Sequence, residues 1–311
     1  MAETNQPDIV CLGEPMAEFS ELPDGPPGHY LAGFGGDTSN CAIAAARQGA
    51  QVGYLTALGE DTFGDAFIEL WTREGVDCRH VHRNLDAHTA AYFISHGADG
   101  HRFSYLRRGS AASRLTPDDI PEEYVAGAEF LHISGISQAI SEGACDAVSH
   151  AIEIARRHGT RVSYDLNLRL SLWSLAQARA VTEATVEFAD VVLTNAEEGA
   201  QLTGVDTPVA IAEHYLAKGP SIVVVKDGAA GALVASAEAR ETIPGRSVEA
   251  VDASGAGDTF DGAFLAETLR GADPIAAARY ANAAAALSTT GYGAVTPIPK
   301  RSAVETFLRT H

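Results

Sequence analysis

The chain has 311 residues, 46% of them hydrophobic and 20% charged, enough for one large α/β domain with a sizeable core or for two smaller domains. Its 41 acidic and 22 basic residues leave a net charge of −19, and lysine occurs only at Lys218, Lys226 and Lys300, a balance that argues against nucleic acid or an anionic membrane as partner. No apolar run approaches membrane-spanning length, the stretch up to Asp8 lacks a basic-then-apolar leader, and Cys11, Cys41, Cys78 and Cys145 form no Cys-x-x-Cys pair, so reduced thiols in a cytoplasmic protein are expected.

In chain order, strand-like and helix-like segments alternate. Residues 9–13 read as a short apolar strand, 39–49 as an Ala-rich helix ending on Gly49, and 51–57 as a second strand. Residues 62–74 form a helix with Phe63, Phe67, Leu70 and Trp71 on one stripe. Strands follow at 129–134, 161–165, 190–194 and 221–226, with helices at 141–158, 175–188 and 209–218 between them. A last strand-like run, 247–251, leads through Gly255-Ala256-Gly257 into a helix over 259–270. Such βα repetition predicts a mostly parallel sheet covered on both faces.

Two stretches break the pattern. Residues 15–34 are rich in Pro and Gly, and 88–108 read as two strands around the hairpin signal Gly97-Ala98-Asp99-Gly100. Neither contains a crossover helix, so both are expected to project from the sheet as β-structure near the substrate. His80 and His82 would share a strand face, but no third metal ligand accompanies them.

Ligands of open parallel sheets bind beyond the carboxyl ends of the strands. Those ends carry Asp165-Leu166-Asn167-Leu168-Arg169, then Asn195 with Glu198, then Lys226-Asp227-Gly228, then Ser254 to Asp258. The Asn195/Glu198 spacing also suits a helix cap. A glycine-rich turn opening a helix leaves amides pointing outward with the positive end of the dipole behind them, which makes an anion site. Asp258 sits in that turn; it either complements the dipole or takes a proton from a hydroxyl attacking phosphorus. There is no Gly-x-x-x-x-Gly-Lys-[Ser/Thr], the Gly33-Phe34-Gly35-Gly36 run is not a dinucleotide fingerprint, and no Gly-x-Ser-x-Gly elbow occurs. Phosphoryl transfer without a Walker lysine is the chemistry left.

Residues 252–264 resemble the C-terminal signature of the ribokinase-like (PfkB) carbohydrate kinases, with Ala253 where many members carry Thr, Ser or Pro. Gly35-Gly36-Asp37-Thr38-Ser39-Asn40 and the helix after it resemble the N-terminal signature. The resemblance implies a three-layer αβα sandwich with a mostly parallel central sheet, in which 1–14, 35–87 and 109–311 form the nucleotide- and substrate-binding core. Residues 15–34 and 88–108 would form a β-lid that often pairs two copies into a dimer. It further implies that Asp258 is the catalytic base and that Gly255, Ala256 and Gly257 supply anion-hole amides. By the same resemblance Asn195 and Glu198 organise Mg²⁺ and phosphates through water, Lys226 and Gly228 reach the phosphates of ATP, and Asn282 lies along the adenine. Gly35, Gly36 and Asn40 would contact sugar hydroxyls, and the loop at Asp252 together with 288–293 would hold a monovalent cation such as K⁺. Asp165 to Arg169 followed by Leu172-Trp173, and Tyr105 to Ala111, look like the 2-keto-3-deoxygluconate kinases in particular. A sugar acid invites a bidentate guanidinium, so Arg107 and Arg169 are its expected partners, with Tyr92 and Tyr105 donating hydroxyls.

Overall fold

The computed structural model describes residues 6–22, 25–26, 28–97 and 100–310. The amino-terminal half contains β1 (Ile9–Leu12), β2 (Met16–Glu21), β3 (Tyr30–Gly35), α1 (Asp37–Arg47), β4 (Val52–Gly59), α2 (Thr62–Glu74), β5 (Val76–Asp77) and β6 (Val81–Asn84). Then come β7 (Ala90–Gly97), β8 (Gly100–Leu106), α3 (Glu122–Ala126), β9 (Phe130–Ser134), α4 (Gly135–Ala139), α5 (Glu142–His158) and β10 (Arg161–Asp165). The remainder comprises α6 (Leu175–Val186), β11 (Val191–Asn195), α7 (Ala196–Thr203), α8 (Pro208–Leu216), β12 (Ile222–Lys226), β13 (Gly231–Ser236), β14 (Arg240–Pro244), α9 (Ala256–Leu269), α10 (Pro274–Ser288) and α11 (Arg301–Thr310).

The main sheet runs β14-β13-β12-β11-β10-β9-β1-β4-β5, with β6 also paired to β4. Pairing is parallel from β12 through to β5, and antiparallel for β12 with β13 and β13 with β14. Strands buried on both faces are apolar without alternation: Val223, Val224 and Val225 are all fully buried. The pleat then sorts side chains by parity. Ile9 and Cys11 join a core formed with α1, α2, α9 and α10, whereas Val10 and Leu12 join the opposite core formed with α3, α5, α6 and α8. This is the expected three-layer arrangement.

A second sheet, ordered β3-β2-β7-β8, is built from the two stretches that interrupt the βα pattern. β7 and β8 pair as a hairpin closing at Gly97 and Gly100; Ala98 and Asp99 of the expected turn lie outside the described residues. Phe63 of α2, expected in the core, is 40% exposed and meets Phe19 of this sheet edge-on, with ring centroids 5.6 Å apart.

The expected strand over 247–251 is absent. The chain there is irregular, and the edge of the sheet is instead completed by the β13–β14 hairpin. A parallel strand at that edge would need a crossover of a dozen or more residues. The short turn after β12 permits only antiparallel return, made possible by Gly231 at φ +108, where a Cβ would lie 2.0 Å from the Ile243 carbonyl oxygen.

α1 and α9 lie against each other, and Gly262 is what lets them approach: a Cβ there would sit 2.3 Å from the Cys41 carbonyl oxygen. Backbone occupies that space, so the contact cannot relax by a rotamer change. Gly262→Ala is therefore expected to destabilise the fold by roughly 1–3 kcal/mol, as overpacked cores do, read as a lowered urea midpoint. An unchanged midpoint would show that the two helices are free to separate.

Candidate active site

Five strands of the parallel sheet, β1, β9, β10, β11 and β12, end on one edge; β9 to β12 end on the polar residues Ser134, Asp165, Asn195 and Lys226, and Glu14 follows β1 after Gly13. α1 and α9 begin above this edge. Gly36 precedes α1 with φ +104, and Gly255 precedes α9 with φ +70. Neither helix has a side-chain cap, so the first-turn amides are open to an outside acceptor. At α9 the Ala256 N–H is spent on the Ala253 carbonyl, 3.2 Å away. The Ala256 amide expected in an anion hole is therefore already engaged within the turn, whereas helix geometry leaves the Gly257 and Asp258 N–H groups without an intrahelical acceptor. A Cβ on Gly255 would meet the Ala294 carbonyl oxygen at 2.9 Å, so the turn is pressed against the 290s loop.

Asp258, in the first turn of α9, accepts a 2.8 Å hydrogen bond from Asn40 Nδ2 in the first turn of α1. Burial pushes its carboxyl up to about 7. The Asp37 carboxylate adds to the rise and Asp165 contributes less, against the Asn40 hydrogen bond and the Lys226 ammonium. These values suit a base that must be free to accept a proton near neutrality. Asp37 is the residue that sequence reasoning passed over, although it stands inside the Gly-Gly-Asp motif. It accepts from Ser134 Oγ, and from Asn167 Nδ2 at 3.0 Å. Asn167 holds φ +34, the sole positive φ outside glycine among the described residues.

Asn40, Asp37, Asn167, Asp258, Arg107 and Arg169 line a cavity of about 200 Å³ that Tyr92, Phe103 and Tyr105 of the second sheet close from the other side. Asp37 Oδ1 and Asn40 Oδ1 are buried in its wall without a hydrogen-bond partner. Buried acceptors of this kind need donors, and hydroxyl groups of a ligand supply them. A larger cavity of about 700 Å³, sharing Phe103 and Ser254, adjoins it beneath the second sheet. Its lining includes Glu18, Glu21 and Asp252 but neither Asp258 nor a helix amide, so the chemistry belongs to the smaller cavity.

Several expected ligand contacts are already engaged within the protein. The Tyr92 hydroxyl donates to the Glu18 carboxylate, and Tyr92 also packs on Gly35, where a Cβ would lie 2.5 Å from that hydroxyl. Tyr105 is 44% exposed and stacks on Phe103. Arg107 holds the fully buried Glu14 through Nε at 2.9 Å and Nη2 at 2.5 Å, and Ser110 completes that carboxylate's shell. Arg169 donates to Glu198 at 2.9 Å. Burial, reinforced by Asp165, raises the Glu198 carboxyl even so. Asn195 caps α7 by accepting from the Glu198 N–H at 2.8 Å. Lys226 donates to Asp261 at 2.9 and 3.0 Å and stands 3.6 Å from Asp165. Gly228, at φ +51, opens the turn behind it. Asn282 is buried in α10 and donates to the Pro244 carbonyl at 2.8 Å, tying α10 to the end of β14. Asp252 accepts from the N–H groups of Ser254 and Gly293, which joins the two loops named for a cation.

A parallel sheet whose carboxyl edge sets a half-buried carboxylate inside a glycine-opened helix turn, beside acceptors that ask for hydroxyls, defines a phosphotransferase with an alcohol acceptor. The model of the pfkB family carbohydrate kinases matches residues 6–301, and the chain belongs to that family: it is a sugar kinase. It is 33% identical to the 2-dehydro-3-deoxygluconokinase of Thermoproteus tenax over 97% of this chain and 94% of that one. An E. coli protein described as a ribokinase II, solved with ATP and Mg²⁺, superposes with a TM-score of 0.91 at 28% identity, covering 98% of this chain and 100% of the other. The fructokinase of Vibrio cholerae O395, solved with fructose, ADP and calcium, gives 0.87 at 32% identity, covering 98% and 100%. Among the described residues no helix is long and apolar enough to cross a membrane, and no group of three or more His, Cys, Asp or Glu side chains is placed to hold a metal ion.

The raised Asp258 carboxyl has two consequences. The acid limb of the kcat/KM profile is expected near pH 7, since only the ionised base works, and Asp258→Asn should abolish nearly all turnover. Because the folded protein holds this proton more tightly than the unfolded chain, the group favours the fold at low pH and that contribution is lost as pH rises from about 4 through about 7. Melting temperatures of Asp258→Asn and the parent should thus draw apart as pH rises from about 4 to about 7 and keep that separation above it, with the variant the more stable. Equal melting at pH 8 would contradict the charge crowding described here.

Proposed function

We propose that the chain transfers the γ-phosphate of ATP to the terminal hydroxyl of 2-keto-3-deoxygluconate, giving ADP and 2-keto-3-deoxy-6-phosphogluconate. The observation that carries the acceptor side is the pair of buried, unpartnered oxygens on Asp37 and Asn40 beside Asp258: a polyol fills them and brings one hydroxyl to the base. The Asp258 carboxylate takes that hydroxyl's proton as the sugar oxygen bonds to phosphorus and the bond from phosphorus to the β,γ-bridging oxygen breaks. The Gly257 and Asp258 amides receive the charge that builds on the transferred group. Mg²⁺, when bound, neutralises phosphate charge; such an ion is held largely by phosphates and water and needs no protein cage. Asn195 and Glu198 are the residues that would face it. Residues 15–34 and 88–108 act in this reading as a lid, with Tyr92, Phe103 and Tyr105 excluding water from the reacting atoms, and K⁺ would sit at the Asp252 loop.

The sugar acid is supported by two guanidinium groups, Arg107 and Arg169, lining one small cavity and by the likeness to a 2-dehydro-3-deoxygluconokinase. A neutral ketose such as fructose is the second reading, favoured by a specific observation: both arginines already hold protein carboxylates, Glu14 and Glu198. ADP release measured across 2-keto-3-deoxygluconate, fructose, ribose and a nucleoside separates the two. The acid should have the highest kcat/KM, and a preference for fructose would replace the reading. Arg169→Ala should then raise KM for the acid by at least about tenfold, the loss of one charge-assisted pair, while changing KM for a neutral sugar little. Equal losses for both would assign Arg169 to holding Glu198.

A further inference from the structure

Asp261 lies one helical turn after Asp258 on the same side of α9 and takes no part in the mechanism above. It is 1% exposed, and both of its oxygens accept from Lys226 Nζ, at 2.9 and 3.0 Å. The same ammonium is 3.6 Å from Asp165 and 3.5 Å from where a Cβ of Gly257 would stand, so it rests against the turn whose amides form the anion site. A lysine on a flexible four-carbon stem would otherwise go to the carboxylate that most needs a counter-charge. Asp258 is that carboxylate, faced by Asp37 from α1, Asp165 from the end of β10 and Tyr92 from the second sheet, with Arg107 and Arg169 across the cavity. Its direct partner is nonetheless the neutral amide of Asn40.

We propose that Asp261 is a positioning residue: its carboxylate clamps the Lys226 ammonium beside the Gly255–Asp258 turn and keeps it off Asp258, so that the lysine faces the phosphoryl group in transit while the base stays unpaired. The inference rests on Asp258 being that base. A fixed charge of this kind costs no reorganisation during transfer. A pair held on one side by a carboxylate buried in α9 also places the ammonium more closely than its own stem could. Burial alone would lower the Lys226 ammonium, but Asp165 and Asp261 together hold it above the ordinary lysine range, so the charge persists across the working pH.

The test uses the full-length enzyme, ATP and whichever sugar the parent phosphorylates fastest. Asp261→Asn should lower kcat by about tenfold or more, short of the loss on removing an oxyanion donor outright, with the sugar KM nearly unchanged. It should also move the acid limb of kcat/KM below its starting point near 7, because Asp258 loses a repelling neighbour and gains access to Lys226. Adding Asp261→Asn to Lys226→Met should cost nothing further, as two residues acting through one interaction require. Asp261→Glu, which keeps the carboxylate, should bring the limb back toward its place. The ¹³C shift of the Asp258 carboxyl, titrated without turnover, reads the same displacement. An unmoved limb and an unmoved ¹³C titration in Asp261→Asn, or losses that multiply in the double variant, would overturn the proposal. If Asp258→Asn kept its turnover, the base assignment would fall instead, and the ¹³C titration would still decide where Asp261 holds the lysine.

Discussion

The structure turns on keeping one carboxylate ionisable in a place that disfavours its charge. Asp258 is half-buried, faces Asp37 and Asp165, and has as its direct partner the amide of Asn40. In a medium of low effective dielectric, like charges at such distances oppose one another strongly. The helix amides, the Lys226 ammonium and the close seating of α1 on α9 make the arrangement tolerable; the amides and the seating depend on small residues, Gly36 and Gly255 for the turns and Gly262 for the helix contact. The strand edge supplies polar groups because every parallel strand ends there, and the helix starts supply amides because every crossover begins there.

A second theme is that the polar side chains near the cavity are mostly held by other protein groups. Arg107 secures Glu14, Arg169 secures Glu198, Tyr92 secures Glu18 and Lys226 secures Asp261. Each pair joins segments far apart in sequence, so the pairs act as ties between distant parts of the fold. Glu14 stands between β1 and β2 and Arg107 just after β8, so their ion pair ties two of the chain's crossings between the main sheet and the second sheet. Against this background the bare oxygens of Asp37 and Asn40 stand out, since they are the buried, unpartnered side-chain atoms in the wall of the small cavity.

Much of the fold was legible in the sequence because its signals are local. Apolar runs such as 222–226, flanked by helical periodicity, specify buried parallel strands whatever lies beside them, and the two signature motifs place Asp258 and Asn40 at helix starts. The 247–251 run was misread because its apolar residues suit a strand, whereas the edge it would occupy was taken by a hairpin that only Gly231 makes possible. Asp37 lies inside the Gly-Gly-Asp motif, yet its place in the site is set by partners distant in the chain. Its meaning comes from Asn167, 130 positions away, and from Ser134.

The sequence by itself determined the layered α/β architecture, the edge on which ligands bind and the identity of the carboxylate in the glycine-rich turn, since periodicity and turn chemistry act over a few residues. Only the tertiary structure decided which charges neutralise which: that Lys226 serves Asp261, that Arg107 and Arg169 come to the cavity with carboxylates attached, and that Asp258 shares its surroundings with Asp37 and Asp165. Coulombic pairing depends on distance through space, and distance between residues on different strands and helices is set by packing, which no local stretch of sequence encodes.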